Sequence, residues 1–480
     1  MAEPDPATST TTDQDLRAET TGISLLRGDP KRAIIKLSGP MVIAMLLMSL
    51  YNIVNAIWVA GLGSDAMAAV GFITPLFMIL IGLGNGLGAG VTSVISRRIG
   101  AQDRDGADSA ALHALLLMVA ISAIVTVPLI LFAHPIALLF GAGKTAGLAA
   151  EYGQVIFAGT VLILFTNVGY SILRAEGDAK RTMYAMVVSS LINMVLDPLL
   201  IYTAGFGIAG AAWGTVISIG IVSGVLLYWF YVKRDTYISL SWQHFRPDRG
   251  IVLDILKVGL PASLEFVLMS ILAIIINGML VLVAGTDAVA VYTAGWRVVI
   301  FAIIPVVAIG TAVTAVTGAS YGARLYTRLR VIQRFSVGVG VAITLLISVM
   351  TYVFSQQIAF LFTYAPESAH LAPSIAAFLA TMCFFYPFVP PGIMSGSIFQ
   401  GMGRGVNSLI VSLLRNLLFI ALSAYILGVV LGMGEHGVWW GIVIGDVLGG
   451  LLGYAWAWYY IRRLIALPGA AAEPENTELA

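Results

Sequence analysis

Twelve apolar stretches of membrane-crossing length follow one another along the chain, separated by short breaks of glycine, proline or charged residues. A helix needs about 20 apolar residues to cross the roughly 30 Å hydrocarbon layer of a bilayer. Charged residues make up 11% of the 480, far below the roughly one quarter that is typical of soluble chains. The pattern predicts an all-α integral membrane protein. Its twelve transmembrane helices, here called spans 1 to 12, are predicted near 34–60, 67–96, 107–133, 148–173, 181–203, 207–232, 252–283, 288–319, 329–354, 368–397, 405–431 and 437–462.

Two short sequences recur at a common spacing and indicate that the chain is an internal duplication. Residues 136–140 (IALLF) recur at 358–362 (IAFLF), and residues 63–68 (GSDAMA) recur at 285–290 (GTDAVA), each 222 residues later. In a membrane protein a repeat of this size usually means two half-transporters that enclose a substrate path near the bilayer midplane. Because each half holds an even number of spans, both halves enter the membrane from the same side. The expected architecture is therefore two parallel six-helix bundles.

The repeat and the polar ends divide the chain into five expected parts. They are a disordered cytoplasmic tail (1–26), an N-terminal six-helix bundle (27–233), a cytoplasmic linker (234–250), a C-terminal six-helix bundle (251–464) and a second disordered cytoplasmic tail (465–480). The first tail is rich in Thr, Asp and Ala and lacks the apolar core of a cleavable signal peptide. Both tails have too few apolar residues to form a core of their own.

Lysine and arginine are distributed unevenly between the two sides of the predicted bundles. They cluster in the N-terminal arm, in alternate connections and after span 12, whereas the intervening connections carry only Lys144. Because cytoplasmic loops carry the excess of Lys and Arg, both termini are expected on the cytoplasmic side of the cell membrane. The formal net charge of +1, without a basic block, gives no reason to expect a nucleic-acid partner. The chain is expected to lie in the lipid bilayer as a monomer.

Polar residues of the first half predict a cation site. Asn193 and Asp197 lie four apart on span 5, hence on one face, and Pro198 follows at once. At about 1.5 Å per residue from the outer ends, Asn55 on span 1, Asp197 and Thr215 on span 6 all lie roughly 10 Å deep. The set of a carboxylate, two amide oxygens and a hydroxyl suits a hard cation such as Na⁺, or a proton on Asp197 alone.

A purely structural role for Asp197 is the alternative, in which the acid caps a polar contact with Asn193 and Asn55. No Lys or Arg lies at the same depth in this half. An intramembrane acid without a counter-charge must bind a cation, reach water or take up a proton. That requirement favours the functional interpretation, because Ser or Asn would fill the structural role without the charge. Tyr51, Asn52 and Trp213 are predicted to line a substrate cavity, where aromatic rings can contact flat cations. The alternative for a Trp near a span end, such as Trp213, is an anchor at the membrane interface.

The second half predicts structural ion pairs instead. Depth along the helices pairs Glu265 on span 7 with Arg415 on span 11, and Arg297 on span 8 with Asp446 on span 12. Buried pairs of this kind more often fix helix packing than carry a substrate. The prolines within 387–391 predict a break in span 10. The two halves are therefore expected to differ, with an unpaired acid in the first and paired acids in the second.

Four stretches resemble the multidrug and toxic compound extrusion (MATE) family, specifically its DinF-like prokaryotic and archaeal branch. The resemblance covers about residues 24 to 464. The stretches are Leu26–Lys31, Tyr51–Asn55 with Gly61-Leu62-Gly63 after it, Leu173–Asp178, and Asn193–Pro198.

The resemblance implies a V-shaped pair of six-helix bundles that exports amphipathic, often cationic, organic compounds in exchange for Na⁺ or H⁺. It further implies a cation site built from an Asp on helix 1, an Asn and an Asp on helix 5 and a Thr on helix 6. Asn193, Asp197 and Thr215 match the last three, and Asn55 stands where the family commonly has Asp. That departure leaves one carboxylate, which is compatible with a Na⁺ site and does not supply the two acids of two-acid proton coupling.

The leading hypothesis is a secondary active multidrug exporter, a cation/organic compound antiporter that works by alternating access. A lipid-linked precursor flippase of similar two-bundle architecture is the alternative; it would present several basic residues inside the cavity, where the predicted cations are paired. An enzyme is not expected, because the spans contain neither a DDxxD run for Mg²⁺-diphosphate nor an HExxH helix for zinc. No cofactor is expected beyond Na⁺ or H⁺ as the coupling ion.

Overall fold

The computed structural model describes residues 20–241, 245–363 and 369–467, which are helical almost throughout. The α-helices within these ranges are α1 (Thr21–Arg27), α2 (Pro30–Ala60), α3 (Ser64–Gly100), α4 (Arg104–Leu131), α5 (Ala133–Leu139), α6 (Ala146–Ala158), α7 (Thr160–Ala175), α8 (Ala179–Pro198), α9 (Gly207–Leu227), α10 (Arg249–Ala284), α11 (Thr286–Gly322), α12 (Tyr326–Val353), α13 (Ser355–Phe362), α14 (Ala372–Met382), α15 (Val389–Gly401), α16 (Gly405–Leu413), α17 (Leu422–Tyr425) and α18 (Gly434–Ile465). Short 3-10 turns cover Gly143–Thr145, Ala369–Leu371 and Tyr386–Phe388, and π-helical segments cover Leu199–Thr203, Tyr228–Lys233, Leu414–Ala421 and Ile426–Val430.

Among the described residues, eleven helical segments are long and apolar enough to cross a membrane, and α6 and α7, bent by 45° at the break between them, count as a twelfth when the pair is taken as one span. Helices are required because hydrocarbon offers no hydrogen bonds to free backbone groups. In chain order the spans are α2, α3, α4, α6 with α7, α8, α9, α10, α11, α12, α14 with α15, α16 with α17, and α18. The predicted all-α membrane protein with twelve spans is confirmed. The predicted break in span 10 is confirmed by the turn Tyr386–Phe388, which separates α14 from α15.

The beginnings of the spans differ between the two sides of the molecule. Asp29, Asp103, Asp178 and Asp248 precede α2, α4, α8 and α10, and each accepts a hydrogen bond from a backbone N–H of the first turn. Such side chains satisfy backbone groups that a helix start leaves unpaired. On the opposite side α3 and α11 each follow a glycine with positive φ, of 96° and 79°, at equivalent positions of the repeat.

The two halves of the chain touch along α3 and α10, where small residues let the backbones approach. A methyl group on Gly86 or Gly90 would overlap the backbone of α10, at Gly259 and at Ile255 respectively. Further toward the side that carries α1 and the end of α18, here called the terminal side, Gly100 packs directly against Ala319 of α11. Close backbone packing of this kind is a usual way for membrane helices to associate.

The helix face of α11 that contacts α2, here called its stripe, shows where the two halves separate. Near the terminal side, Thr311 and Ala315 of α11 and Leu37 and Met41 of α2 line a common small gap. Further along α2 the same stripe continues to Met48 and Asn52, which are exposed. The α11 stripe likewise continues to Arg297, Thr293 and Thr286, and these are exposed too. The halves are therefore closed at the terminal side and separated by a cleft at the opposite side.

Helix α1 joins the two halves at the closed end. Ile23 is fully buried in the core of the first half, and Leu26 is 1% exposed in the core formed mainly by the second half. Arg27 donates to the carbonyl of Ile99, and Arg328 donates to the carbonyl of Arg27 at 2.6 Å. The expected disordered tail of residues 1–26 is thus wrong for its last residues, because burial of Ile23 and Leu26 stabilises a short helix there. Residues 1–19 and 468–480 lie outside the described residues.

Described residues of the linker, on both sides of positions 242–244, pack against the first half. Ile238 and Ser239 donate backbone hydrogen bonds to Glu176 and Asp108, at 3.1 and 2.8 Å. Further along, Asp248 donates its N–H to Nε2 of His113 at 2.8 Å. Burial raises the pKa of the Glu176 carboxyl to about 8. These described residues of the linker are therefore held against the first half by hydrogen bonds, and one acceptor, Glu176, stays protonated to a higher pH than an exposed glutamate.

Replacement of Gly90 by valine is expected to destabilise the contact between α3 and α10 by about 1–3 kcal/mol, because the side chain would overlap the Ile255 carbonyl. Thermal unfolding of the purified protein in detergent measures the effect. Gly71→Val is the matched control, since Gly71 lies on the same helix with no atom near its substituent. Equal melting temperatures for the two variants would show that α3 and α10 do not pack this closely.

Glu176 is expected to make stability fall as pH rises from about 4 toward 8. Its pKa in the folded protein is raised above the ordinary value of about 4.3, so the folded state holds the proton longer than the unfolded state does. Glu176→Gln should flatten that part of the melting temperature against pH. The exposed Asp105→Asn controls for the lost charge and should keep the wild-type slope. Parallel curves for wild type and Glu176→Gln would contradict the assignment.

Candidate functional site

Helix α8 carries two of the predicted site residues on one buried face. Asp178 caps its start, so that Asn193 and Asp197 follow at helical spacing and point the same way. Asp197 is completely buried, and Asn193 is 2% exposed. Helix α8 ends at Pro198, directly after the acid, and continues as the π-helical segment Leu199–Thr203.

Helix α9 supplies the wall opposite α8. Asn193 donates from Nδ2 to the hydroxyl of Ser218 at 3.1 Å, and Thr215 lies one turn earlier on α9. A methyl group on Gly214 would overlap Oδ1 of Asp197, so the missing side chain at this position makes room for the carboxylate. Glycine at 214 therefore sets how closely the acid approaches α9.

Helix α2 completes the cluster through a tyrosine. Asn55 donates from Nδ2 to the Tyr51 hydroxyl at 3.2 Å, and that hydroxyl lies 3.5 Å from Oγ1 of Thr215. The structure thus brings together Asn55, Asn193, Asp197 and Thr215, as the depth argument predicts. Tyr51 belongs to this polar cluster.

Asn52 and Trp213, predicted with Tyr51 to line a substrate cavity, are both exposed, and neither side chain forms a hydrogen bond with another described residue. Asn52 continues the stripe of α2 that faces the cleft. Sequence reasoning missed Ser218, although it follows Thr215 by three residues and shares its helix face.

Four oxygen atoms of this cluster are buried without a hydrogen-bond donor among the described residues. They are Oδ1 of Asn55, Oδ1 of Asn193 and both carboxylate oxygens of Asp197. The amide groups have turned their N–H donors toward Tyr51 and Ser218, which leaves the acceptor ends free. Buried acceptors without donors are costly, and an isolated buried carboxylate most of all. The arrangement fits a positively charged partner that only accepts electron pairs, either a hard monovalent cation or a proton.

The charge and ligand types of the cluster narrow that choice. The ion pairs of the described residues do not include Asp197, so no basic side chain neutralises it there. Among the same residues no group of three or more His, Cys, Asp or Glu side chains could hold a metal ion, so the cluster lacks the ligands that zinc prefers. One carboxylate with neutral oxygen donors matches a singly charged ion.

The predicted ion pairs of the second half are wrong. Arg415 pairs with Asp446, with Nε 2.5 Å from Oδ1 and the Asp446 side chain fully buried. Glu265 instead accepts from the Ser408 hydroxyl at 2.6 Å. Arg297 forms no ion pair with any described residue and lies exposed on the cleft stripe of α11.

Packing on α18 explains the exchange of partners. Arg415 lies in the π-helical segment Leu414–Ala421, and Gly449 of α18 packs against its backbone. One turn earlier on α18 is Asp446, which meets the guanidinium. Counting residues along the helices assigns Arg415 and Asp446 to different pairs, so approximate depth does not identify the partners. It also carries no information about the direction in which each side chain points.

Comparisons with known proteins agree with this architecture. The MatE family model matches residues 40–199 and 261–426, one stretch in each half, beginning at Pro40 and Pro261. The chain is 26% identical over 419 residues to the multidrug export protein MepA of Staphylococcus aureus (strain MSSA476), covering 87% of this chain and 91% of that protein. It is also 26% identical over 422 residues to MepA of Staphylococcus haemolyticus (strain JCSC1435), with the same coverage.

A solved structure, described as the outward-facing conformation of a multidrug resistance MATE family transporter of the MOP superfamily, superimposes with a TM-score of 0.91. It is 42% identical in sequence and covers 93% of this chain and 99% of its own. The agreement extends over both bundles, so that the fold and the relative placement of the helices are shared.

Removal of Arg415 is expected to destabilise the protein strongly, because it leaves the fully buried Asp446 without a counter-charge. Arg415→Met should lower the free energy of unfolding by about 3–5 kcal/mol, and a double replacement with Asp446→Leu should recover most of that loss. Arg297→Met, at an exposed position without an ion pair, serves as the control and should change stability by about 0.5 kcal/mol or less. Reversible unfolding in mixed micelles supplies the free energies. A larger effect at Arg297 than at Arg415 would restore the pairing predicted from depth.

Proposed function

The chain belongs to the multidrug and toxic compound extrusion (MATE) family of multi-pass membrane transporters, and on that premise we propose that it exports small organic compounds in exchange for a cation. The relatives reported above are named multidrug export proteins, and a multidrug efflux transporter is the function class that the whole chain matches. The exchanged cation, the mechanism and the orientation in the cell membrane are parts of the proposal.

The observation that carries the proposal is the set of donorless oxygen atoms around Asp197. An intramembrane acid without a basic partner is a functional feature by default, since its charge must be balanced by something that binds. Asn55, Asn193 and Thr215 add neutral oxygen ligands on three different helices, so binding of an ion would draw α2, α8 and α9 together. The single carboxylate favours Na⁺, with a proton on Asp197 as the competing possibility that the experiment separates.

Alternating access would couple the ion to the substrate. The cleft opens on the side opposite the terminal side, and the distribution of Lys and Arg supports a cytoplasmic location of the terminal side. In this orientation the conformation described here is open to the outside of the cell. Rocking of one bundle against the other around the contact of α3 with α10 would open the terminal side. The ion needs only a different affinity for the two states to drive that exchange.

Broad specificity for amphipathic compounds follows from the kinship with multidrug exporters. The cationic charge expected of the substrates from the family resemblance stays a prediction, as does the monomeric state. A lipid-linked precursor flippase gains no support, because the relatives reported above are named as exporters. The same names describe transporters, in keeping with a chain that is not an enzyme.

Asp197→Asn is expected to abolish saturable Na⁺ binding while the protein stays folded, because the replacement keeps the size of the side chain and removes the charge. Binding of radiolabelled Na⁺ to purified protein at fixed pH measures this directly, and export from cells or vesicles measures the consequence. Gly214→Ala should weaken Na⁺ binding by pushing the carboxylate away from α9. Gly224→Ala, on the same helix with open space around it, should bind as wild type does.

Two other outcomes are informative. Absence of Na⁺ binding to the wild type, together with uptake of one proton that is lost in Asp197→Asn, would make the protein a proton-coupled exporter. Undiminished, cation-dependent export by Asp197→Asn would remove the site from the coupling mechanism altogether.

A further inference from the structure

Arg297 lies in a recess of the second half that faces the cleft. The recess has a volume of about 470 Å³ and is lined on α11 by Thr286, Val289, Thr293 and Arg297, with Phe362 of α13 beside them. Thr286, Thr293 and Arg297 belong to the exposed stripe of α11 that, nearer the terminal side, packs against α2. The recess is therefore part of the opening between the two halves.

The position of Arg297 makes its charge unusual. It is 11 residues from the start of α11, which corresponds to about 16 Å along the helix. A guanidinium at such a depth is costly unless it is paired or hydrated, and intramembrane charges of this kind mark substrate or ion pathways. Arg297 has no ion pair or hydrogen bond to any described residue.

Three described acids of the second half that could have neutralised Arg297 have other partners. Asp446, its predicted partner, is bound to Arg415, and Glu265 accepts from Ser408. Asp287, at the mouth of the recess, lies 3.3 Å from Nε2 of His370 and about 15 Å along the helix from Arg297. The positive charge is thus left for a group that enters from the cleft.

The chemistry of the recess defines that group. A guanidinium presents a rigid fork of donors that matches the two oxygens of a carboxylate or phosphate. The Thr293 hydroxyl, about one turn away, adds a neutral donor, while Val289 and Phe362 offer apolar surface. An anionic head with an apolar body would satisfy both kinds of surface at once.

We propose that this recess binds the carboxylate or phosphate group of an amphipathic ligand, and that Arg297 is the residue that recognises it. The proposal rests on the exporter function. It departs from the cationic charge that the family resemblance implies for the substrates and specifies them as amphipathic anions, or zwitterions, bound by the second half. The coupling cation is bound by the first half. Ion and substrate would then occupy sites of opposite charge, so that their exchange would proceed through the conformation of the bundles instead of direct competition for Asp197.

Direct binding tests the proposal without any transport step. Purified wild type and Arg297→Gln are titrated with dodecanoate and dodecyl phosphate, and with dodecanol as the neutral probe. The expected result is affinity for both anions reduced about tenfold or more in Arg297→Gln, with dodecanol unchanged. Arg297→Lys should recover part of the affinity, because the charge remains while the bidentate geometry is lost. Equal affinity of wild type and Arg297→Gln for the anions would overturn the proposal.

Two further arms identify the source of the anion and guard against an alternative partner. Binding of the anionic probes is repeated in nanodiscs of phosphatidylcholine alone and with added phosphatidylglycerol. If phosphatidylglycerol competes with the probes in wild type but not in Arg297→Gln, the ligand is a lipid headgroup. If it does not compete in wild type, the ligand is a free amphipathic anion. Glu367→Gln, in the connection outside the described residues, should leave anion affinity unchanged; a rise in affinity would mean that this acid neutralises Arg297 and would overturn the proposal.

Asp197→Asn separates this inference from the exporter function. It should bind the anionic probes as wild type does while failing to bind Na⁺. If wild type binds Na⁺ and Arg297→Gln binds the anions as wild type does, the coupling proposal stands and the anion site is ruled out. If Arg297→Gln loses anion binding and wild type does not bind Na⁺, the anion site stands and Na⁺ is ruled out as the coupling ion.

Discussion

An ionised side chain inside hydrocarbon needs a counter-charge or water, and this requirement explains the arrangement of the polar residues in the spans. Asp446 and Arg415 balance each other, so that α18 and the segment Leu414–Ala421 are held together by the chain alone. Asp197 and Arg297 have no such partner among the described residues. Asp197 is buried and both of its carboxylate oxygens lack a donor there, whereas Arg297 lines a recess that faces the cleft. The closed pair is a structural element, and the two charges without an ion pair are the positions at which the proposed ligands would bind.

The two halves share the backbone plan of one repeated sequence and differ in their intramembrane charges. Both keep the glycine with positive φ before their second span, at Gly63 and Gly285, which indicates that the backbone plan is shared. The charges differ: among the described residues, the first half has an acid without an ion pair among neutral oxygens, whereas the second has a base without an ion pair beside a recess of threonine and apolar side chains. Duplication supplies the symmetric frame that a rocking motion would need, and the divergence of a few polar residues is what the two proposed sites, one for a cation and one for an anion, rest on.

Much of this architecture could be predicted from the sequence, since the hydrophobic length of a span depends on the bilayer, a solvent with known thickness. Asn193, Asp197 and Thr215 were also within reach, because helical spacing and depth both bear on them. The partner of Arg415 was not, because depth leaves the rotation of a helix about its own axis undetermined and a π-helical segment changes that rotation. Helix α1 could not be predicted for another reason. It is too short to show a helical hydrophobic period, and it is stabilised by two side chains that are buried in two different hydrophobic cores.

The contacts of α1 also impose an order on how the protein can be assembled. Residue Arg328 follows Arg27 by 301 positions, and the core that receives Leu26 is built mostly from the second half. At roughly 5–20 residues per second, a ribosome adds that half tens of seconds after α1 has left it. During this interval the first bundle stands in the membrane with its N-terminal helix unanchored on one side. Closure at the terminal side therefore requires both halves, and the first bundle made alone would lack the contacts of α1 with the second half.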